Sequence, residues 1–267
     1  MRHKPLFWML IALLSLSGPA LAELGPFNPA TAREEGESLA ETVKHFNRPA
    51  KDLSTRGIMV LLAGDKITDT RQVAMRQKTE GEVSLHALRF LDSIKRGVTF
   101  LTIENQDRDN DQYLYIPALG RARKVALSDK QNAFEDTDFS FEDLGGRKIS
   151  DYVHERKTDA AFSGRDCFRV ESLAKESSAK YPKQLSWIDK ENFVPLQVRF
   201  FGRDGSLERV IVAGDVRKIQ NIHIPFKVVA KDLKARHTTE ITLTDALVDT
   251  GLDGLSFNRD QMGETWR

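Results

Sequence analysis

The segment "GVTFLTI", residues 97–103, is apolar on both faces that a β-strand presents, and so is "GIMVLLA", residues 57–63. Successive strand residues point to opposite sides, so neither side of such a strand can be left in water. Each needs a layer packed above it and another below. Much of the remaining chain alternates with period two, which predicts strands over 57–63, 72–78, 82–90, 97–104, 112–116 and 121–127. A second series follows over 167–173, 183–188, 196–201, 207–213, 226–231 and 237–244. Turn signals such as Gly64-Asp65 and Asp204-Gly205 separate these runs, and the hairpin around "FFGRDGSLERV" is the clearest case. Short connections favour an antiparallel meander over parallel βαβ units. A curved sheet wrapped around an apolar cavity, with helical segments plugging it, would give the doubly apolar strands their cover.

One long helix is expected after a short extended leader, over "NPATAREEGESLAETVKHFN". Ala32, Leu39, Val43 and Phe46 recur at helical spacing, and Thr31 with Glu34 matches a capping box. This amphipathic helix is a candidate cover for the sheet. Ahead of it, Arg2, His3 and Lys4 precede an apolar run from Leu6 to Leu16 and the small-residue site Ala20-Leu21-Ala22. That order is the pattern of a cleavable signal peptide over residues 1–22, with export into a disulfide-permissive compartment. Residues 23–267 then read as a single domain, since no Pro-rich or Ser-rich linker divides them. Loss of Arg2 and Lys4 takes 40 basic side chains to 38, against 39 acidic ones. Such a balance gives nucleic-acid binding no support.

The chain is poor in recognisable chemistry. His45, His86, His154, His223 and His237 form no HExxH and no pair at metal-ligand spacing. A GxSxG elbow is missing, and Gly145-Gly146 lacks the lysine of a phosphate-cradling loop. The reading is therefore a protein that is not an enzyme and uses no metal or cofactor. Cys167, the single cysteine, reads as a small buried hydrophobe on a strand.

One stretch stands apart. "FEDTDFSFEDLGG", residues 134–146, interleaves phenylalanines with carboxylates and ends on two glycines. Its acidic residues lack EF-hand spacing. Extended, it would place Phe139 and Phe141 on one face with Asp138, Ser140 and Glu142 opposite; partly helical, it would group Phe134, Asp138 and Phe141. Either form is amphipathic, which predicts a lid made by Phe134, Phe139, Phe141 and Leu144, with the carboxylates as its wet side.

Three runs, in order, resemble the outer-membrane lipoprotein-sorting proteins, the LolA-like group: "FLTIENQDRDNDQYLYIPALGRARKVA", "FEDTDFSFEDL" and "YPKQLSWIDKENFVPLQVRFFGRDG". The resemblance covers roughly the last two-thirds of the chain and is to a longer branch of the group. It implies an incomplete antiparallel β-barrel around a hydrophobic cavity, closed by helices or loops. It further implies a periplasmic carrier or chaperone for lipid or lipoprotein acyl chains, with transient membrane contact and an inner-membrane RND-type exporter as partner. A periplasmic lipid-binding sensor that shuttles nothing is the alternative. The lid-locking arginine of the carriers has no matching motif here, and Arg76, Arg89 and Arg96 are all open.

Alternation nominates the cavity wall. Leu185 and Trp187 share a face of their strand, and Leu196, Val198 and Phe200 share one of theirs. Phe100, Val98, Tyr113 and Tyr115 are further candidates, with Trp187 foremost because a large aromatic with a polar handle suits a ligand cavity. The same residues would equally suit a solid core. Arg121, Arg123 and Lys124 either meet phosphate or acidic groups or keep a strand edge from pairing.

Overall fold

The computed structural model describes residues 24–266, so the signal-peptide reading of 1–22 lies outside the described residues. Helix α1 spans Ala32–Phe46. Thr31 is its N-cap residue but makes no capping bond; its hydroxyl instead donates to Glu35 at 2.5 Å, so the expected box with Glu34 does not form.

Six strands follow: β1 (Asp52–Ala63), β2 (Lys66–Glu80), β3 (Val83–Phe90), β4 (Thr99–Ile103), β5 (Asp111–Ile116) and β6 (Arg121–Lys124). A short helix, α2 (Phe141–Gly145), lies in the connection to β7 (Tyr152–Lys157). Then come β8 (Cys167–Ala174), β9 (Lys183–Asp189), β10 (Pro195–Phe201), β11 (Leu207–Ile219), β12 (Ile222–Asp232) and β13 (His237–Val248). All 13 strands belong to one antiparallel sheet in the order β6-β5-β4-β3-β2-β1-β13-β12-β11-β10-β9-β8-β7. The chain thus starts in the middle of the sheet, zigzags out to one edge, crosses to the other edge and zigzags back. The sheet edges, β6 and β7, are consecutive in sequence, so residues 125–151 must span the gap of the open barrel. That span contains the aromatic-acidic stretch.

Strand β7 has no counterpart among the sequence-predicted strands. Its buried positions are Tyr152, His154 and Arg156, so the usual apolar alternation is missing. Arg156 is fully buried because Glu35 of α1 and Asp159 take its guanidinium at 2.7 and 2.8 Å. Helix α1 lies against this strand. A Cβ on Gly36 would stand 2.6 Å from the backbone of Glu155, so only glycine permits the approach. Further along the same face, α1 packs Leu39 and Val43 against Phe168, Val170, Ile188 and Phe193.

The inner face of the sheet carries the main apolar cluster, including Met59, Val73, Phe90, Phe100, Leu114 and Ile241. The doubly apolar 97–103 run has the double cover its composition demands. Inside it meets Phe134 and Phe141; outside, Leu101 and Ile103 join Leu85 and Ala87 beneath Phe257 and Met262 of the C-terminal segment. Asp52 fastens that segment by accepting the backbone N–H groups of Thr250, Gly251 and Leu252 at 2.9–3.0 Å. The 57–63 run differs. Met59 and Leu61 are buried, but Ile58 is 40% exposed, so its outer side goes without full cover.

Candidate functional site: an apolar cavity under a pinned plug

Between the inner face of the sheet, α1 and the 125–151 connection lies a cavity of about 730 Å³, within the range of small-molecule sites. Leu88, Val198, Ile211, Val228, Ile241 and Leu243 supply its apolar wall from the strands. Ala40 and Val43 of α1 and Phe139 and Leu144 of the connection close it from the opposite side.

The connection is built to fill as well as to cover. Ser140 caps α2: its hydroxyl accepts from the Asp143 N–H at 3.1 Å, and its own N–H donates to Asp143 at 2.7 Å. The turn aims Phe134 and Phe141 down into the sheet, where they meet edge-on at 5.4 Å. Phe100 sits 5.5 Å from Phe134 and 5.4 Å from Phe141, and Phe90 stacks on Phe134 at 5.7 Å. The two glycines have separate reasons. A Cβ on Gly145 would fall 2.3 Å from Thr102 Oγ1 and 2.4 Å from Gln112 Nε2, whereas Gly146 turns the chain with a φ of +81°. Gln112 also donates to the Phe141 carbonyl at 3.2 Å.

The carboxylates of this stretch are not its wet side. Asp143 is buried between Arg147 and Arg209, and it accepts from Arg209 Nη2 at 3.1 Å. Burial alone would raise its pKa, but the two guanidinium groups and the Ser140 N–H hold it well below the usual carboxylate range. Arg209, itself buried, lies over the ring of Phe200 at 4.0 Å and also donates to the Asp138 carbonyl. Asp138 in turn takes Thr239 Oγ1 and His237 Nδ1, each at 2.7 Å. Lys95 reaches Glu135 at 2.8 Å and Asp136 at 3.0 Å, and Arg71 donates to the Glu135 carbonyl at 2.7 Å. Glu142 pairs with the Tyr152 hydroxyl, whose pKa burial pushes up to about 12. Of these acids only Asp136 has a largely exposed side chain, at 75%. Alternation marks acidic residues as outward; here the gap-crossing geometry turns them toward basic groups on β11, β13, the β3–β4 loop and the plug itself.

Among the residues nominated from sequence, Phe100, Val198, Phe200, Phe139 and Leu144 border the cavity. Phe134 and Phe141 lie deeper, in the aromatic cluster. Val98 is buried there too, away from the hollow. Trp187 and Leu185 do not line the cavity: Gln184, Ser186 and Ile188 take the inner positions of β9. Trp187 packs on the outer face with Cys167, Val194 and Leu196, under the Arg199 guanidinium at 4.6 Å. Leu196 is parted from Val198 and Phe200 by a bulge, because Pro195 pairs with Ile188 while Gln197 already pairs with Trp187. Tyr113 and Tyr115 also face outward, beneath the C-terminal segment. Arg89 holds that segment through the Met262 carbonyl at 2.9 Å, and Arg76 lies over the Trp266 ring at 4.9 Å. The arginines that grip the plug are Arg71, Arg147 and Arg209, none of them nominated. Arg209 shares its face with Ile211, a cation at an inward strand position, which is the one signal that could have found it.

Polar lining gathers where α1 ends and the plug returns to the sheet. Glu104 accepts from the Ser84 N–H at 2.9 Å, with Lys44 of α1 at 3.9 Å and His86 at 3.8 Å. Arg48, Lys148 and Ile149 complete this rim. Burial would raise the Glu104 pKa, but His86, the Ser84 N–H and Lys44 together lower it.

An open antiparallel sheet curved around an apolar hollow, with an N-terminal helix and a plug across its gap, defines a LolA-like fold. By sequence, the family described as uncharacterized protein matches residues 86–264, and the chain belongs to that family. Among solved structures it is similar to a protein from Vibrio parahaemolyticus described as an outer membrane lipoprotein-sorting protein domain. The TM-score is 0.81 at 24% identity, over 87% of this chain and 100% of that one. A DUF1329 family protein from Desulfovibrio piger superposes with a TM-score of 0.79 at 20% identity, over 87% and 98% of the two chains. A LolA superfamily protein from Nitrosomonas europaea gives 0.63 at 18% identity, over 84% and 97%. No curated protein matches the sequence.

Proposed function

We propose that the protein is a non-catalytic periplasmic carrier that shelters the acyl chains of a lipid or lipoprotein and passes them on. The observation that supports this reading is the hollow itself, about 730 Å³ walled by leucine, isoleucine, valine and phenylalanine and bounded by a plug held mainly through side chains. Each buried methylene contributes about 0.8 kcal/mol, so a chain of about fourteen carbons offers on the order of 11 kcal/mol. That corresponds to roughly nanomolar holding in a dry, preformed site. A carrier must also release, and displacing the plug offsets part of this energy because Phe139 and Leu144 cover the cavity when no chain fills it. Signal-peptide export, residues 23–267 as one domain, and a lid role for Phe134, Phe139, Phe141 and Leu144 belong to the same proposal. Hand-over to an inner-membrane RND-type exporter rests on the sequence resemblance alone.

The test is to purify the native protein gently from the periplasm and identify bound lipids by mass spectrometry, then follow their transfer to acceptor vesicles. Bound acyl lipid that moves to vesicles is expected. A lipid-free protein that takes up no apolar dye would refute the reading.

A further inference from the structure

We infer that the rim of the cavity is a binding site for the anionic head group of an acyl amphiphile, a carboxylate or a phosphate. This rests on the carrier reading and names the class of molecule carried.

The chain as a whole is nearly neutral, at +1. The cavity lining is not. It includes Lys44, Arg48, Arg147 and Lys148 against only Asp143 and Glu104, leaving aside Arg76, whose guanidinium bonds Ser256 of the C-terminal segment. Asp143 is already held between Arg147 and Arg209. Three cations therefore remain at the rim around one carboxylate, Glu104.

These three converge from two places, the end of α1 and the 125–151 connection. Arg48 follows α1 and donates to the carbonyls of Gly81 and Val83, and Val83 adjoins Ser84, whose N–H binds Glu104. Lys44, one turn earlier, approaches Glu104 only to 3.9 Å. Glu104 also lies 3.3 Å from where a Gly146 Cβ would stand, and Lys148 is two residues further on, donating to the Arg108 carbonyl at 2.7 Å. Arg48 is thus bonded to neutral carbonyl oxygens alone, whereas Lys148 also acts on the nearby Asp151 carboxylate. The Nε of Arg48 is buried without a partner. Buried polar groups are almost always paired, and an orphaned guanidinium nitrogen beside a cavity calls for an acceptor. A carboxylate or phosphate at this rim would take Lys44 and, after a turn of the Arg48 side chain that frees its buried Nε, the Arg48 guanidinium, while its tail runs along Leu88, Ile241 and Leu243.

Binding to the whole protein is measured by calorimetry with a long-chain fatty acid, its methyl ester and a lysophosphatidic acid of equal chain length. The two anions are expected to bind at least about tenfold more tightly than the ester, the scale of one charge-assisted contact. Which anion is favoured tells carboxylate from phosphate. The preference should shrink at high salt. Lys44→Met and Lys148→Met, at rim positions outside the core, should each reduce the ratio of anion to ester affinity; Arg48→Gln should reduce it further. Equal affinity for all three probes would overturn the head-group site yet leave the carrier reading standing. Failure of the ester and both anions to bind would remove both.

Discussion

The two halves of the sheet's inner face are lined by similar side chains and end differently. Around the end of β3 and the start of β4 the interior is solid: Phe90, Phe100, Phe134 and Phe141 interlock at 5.4–5.7 Å between centroids, and only further along β3 does Leu88 reach the cavity. Toward β11, β12 and β13 the equally apolar Ile211, Val228, Ile241 and Leu243 face open space. Hydrophobicity does not separate them. The difference lies in the reach of the plug, which sends Phe134 and Phe141 deep to one side and offers Phe139, Leu144 and Ile149 to the other. A hollow in this fold is made by where a covering segment stops, and the strands themselves do not specify it.

The largest effect should come from freeing the plug. Asp143→Ala leaves Arg147 and Arg209 without their shared anion, and the loss expected on breaking such a buried pair is about 4 kcal/mol in urea denaturation. The pH dependence follows. Folding depresses the Asp143 pKa, so its stabilisation is complete above the unfolded value near 3.8 and is lost as pH falls toward the folded one. The acid limb of the stability curve should flatten in Asp143→Asn; an unchanged limb would mean that other carboxylates govern it.

Next in size, Phe134→Ala should cost about 3 kcal/mol and extend the hollow into the filled half, so that the variant takes up a bulkier apolar dye than the native protein. If dye capacity stays the same, the filled half has collapsed and the contrast between the halves is one of packing alone. Gly145→Ala pushes a methyl onto Thr102 and Gln112 and should cost about 2 kcal/mol, with α2 displaced from β4 and β5. Smallest in stability but sharpest for function is a pair of substitutions on neighbouring strands. Val198→Asp, on the hollow side, should weaken apolar-dye binding by at least about tenfold. Trp187→Phe, on the outer side, should leave it unchanged. The reverse result would place the binding surface on the wrong face of the sheet.

How far these features can be read from sequence follows the same division. Period-two alternation revealed twelve of the thirteen strands, and the short connections their antiparallel pairing, because turns and β-branched runs are local signals; the β1–β13 contact that sets the order was not among them. Alternation missed β7, whose inward Tyr152, His154 and Arg156 break the apolar code because their partners are Glu142 of the plug, Ser172 of β8 and Glu35 of α1. Alternation also assigned Leu185 and Trp187 to a common face, but it cannot say which face looks inward when both are covered. One bulge at Leu196 then reversed that residue's side relative to Val198. The aromatic-acidic stretch was recognisable as amphipathic, whereas the burial of its acids depended on Arg209 and His237, some 66 to 99 positions away in the chain. Long-range partners of that kind leave no local trace.

One feature of the topology bears on how a guest enters. The plug runs from β6 to β7, so it is sewn to both rims of the opening it covers. It cannot swing out like a door on a single post; it can only bow outward like a tent panel pegged on two sides, as far as its slack allows. On the carrier reading proposed above, entry would then favour slender guests that slip under the lifted cloth end first, with the panel settling back over them without the walls coming apart.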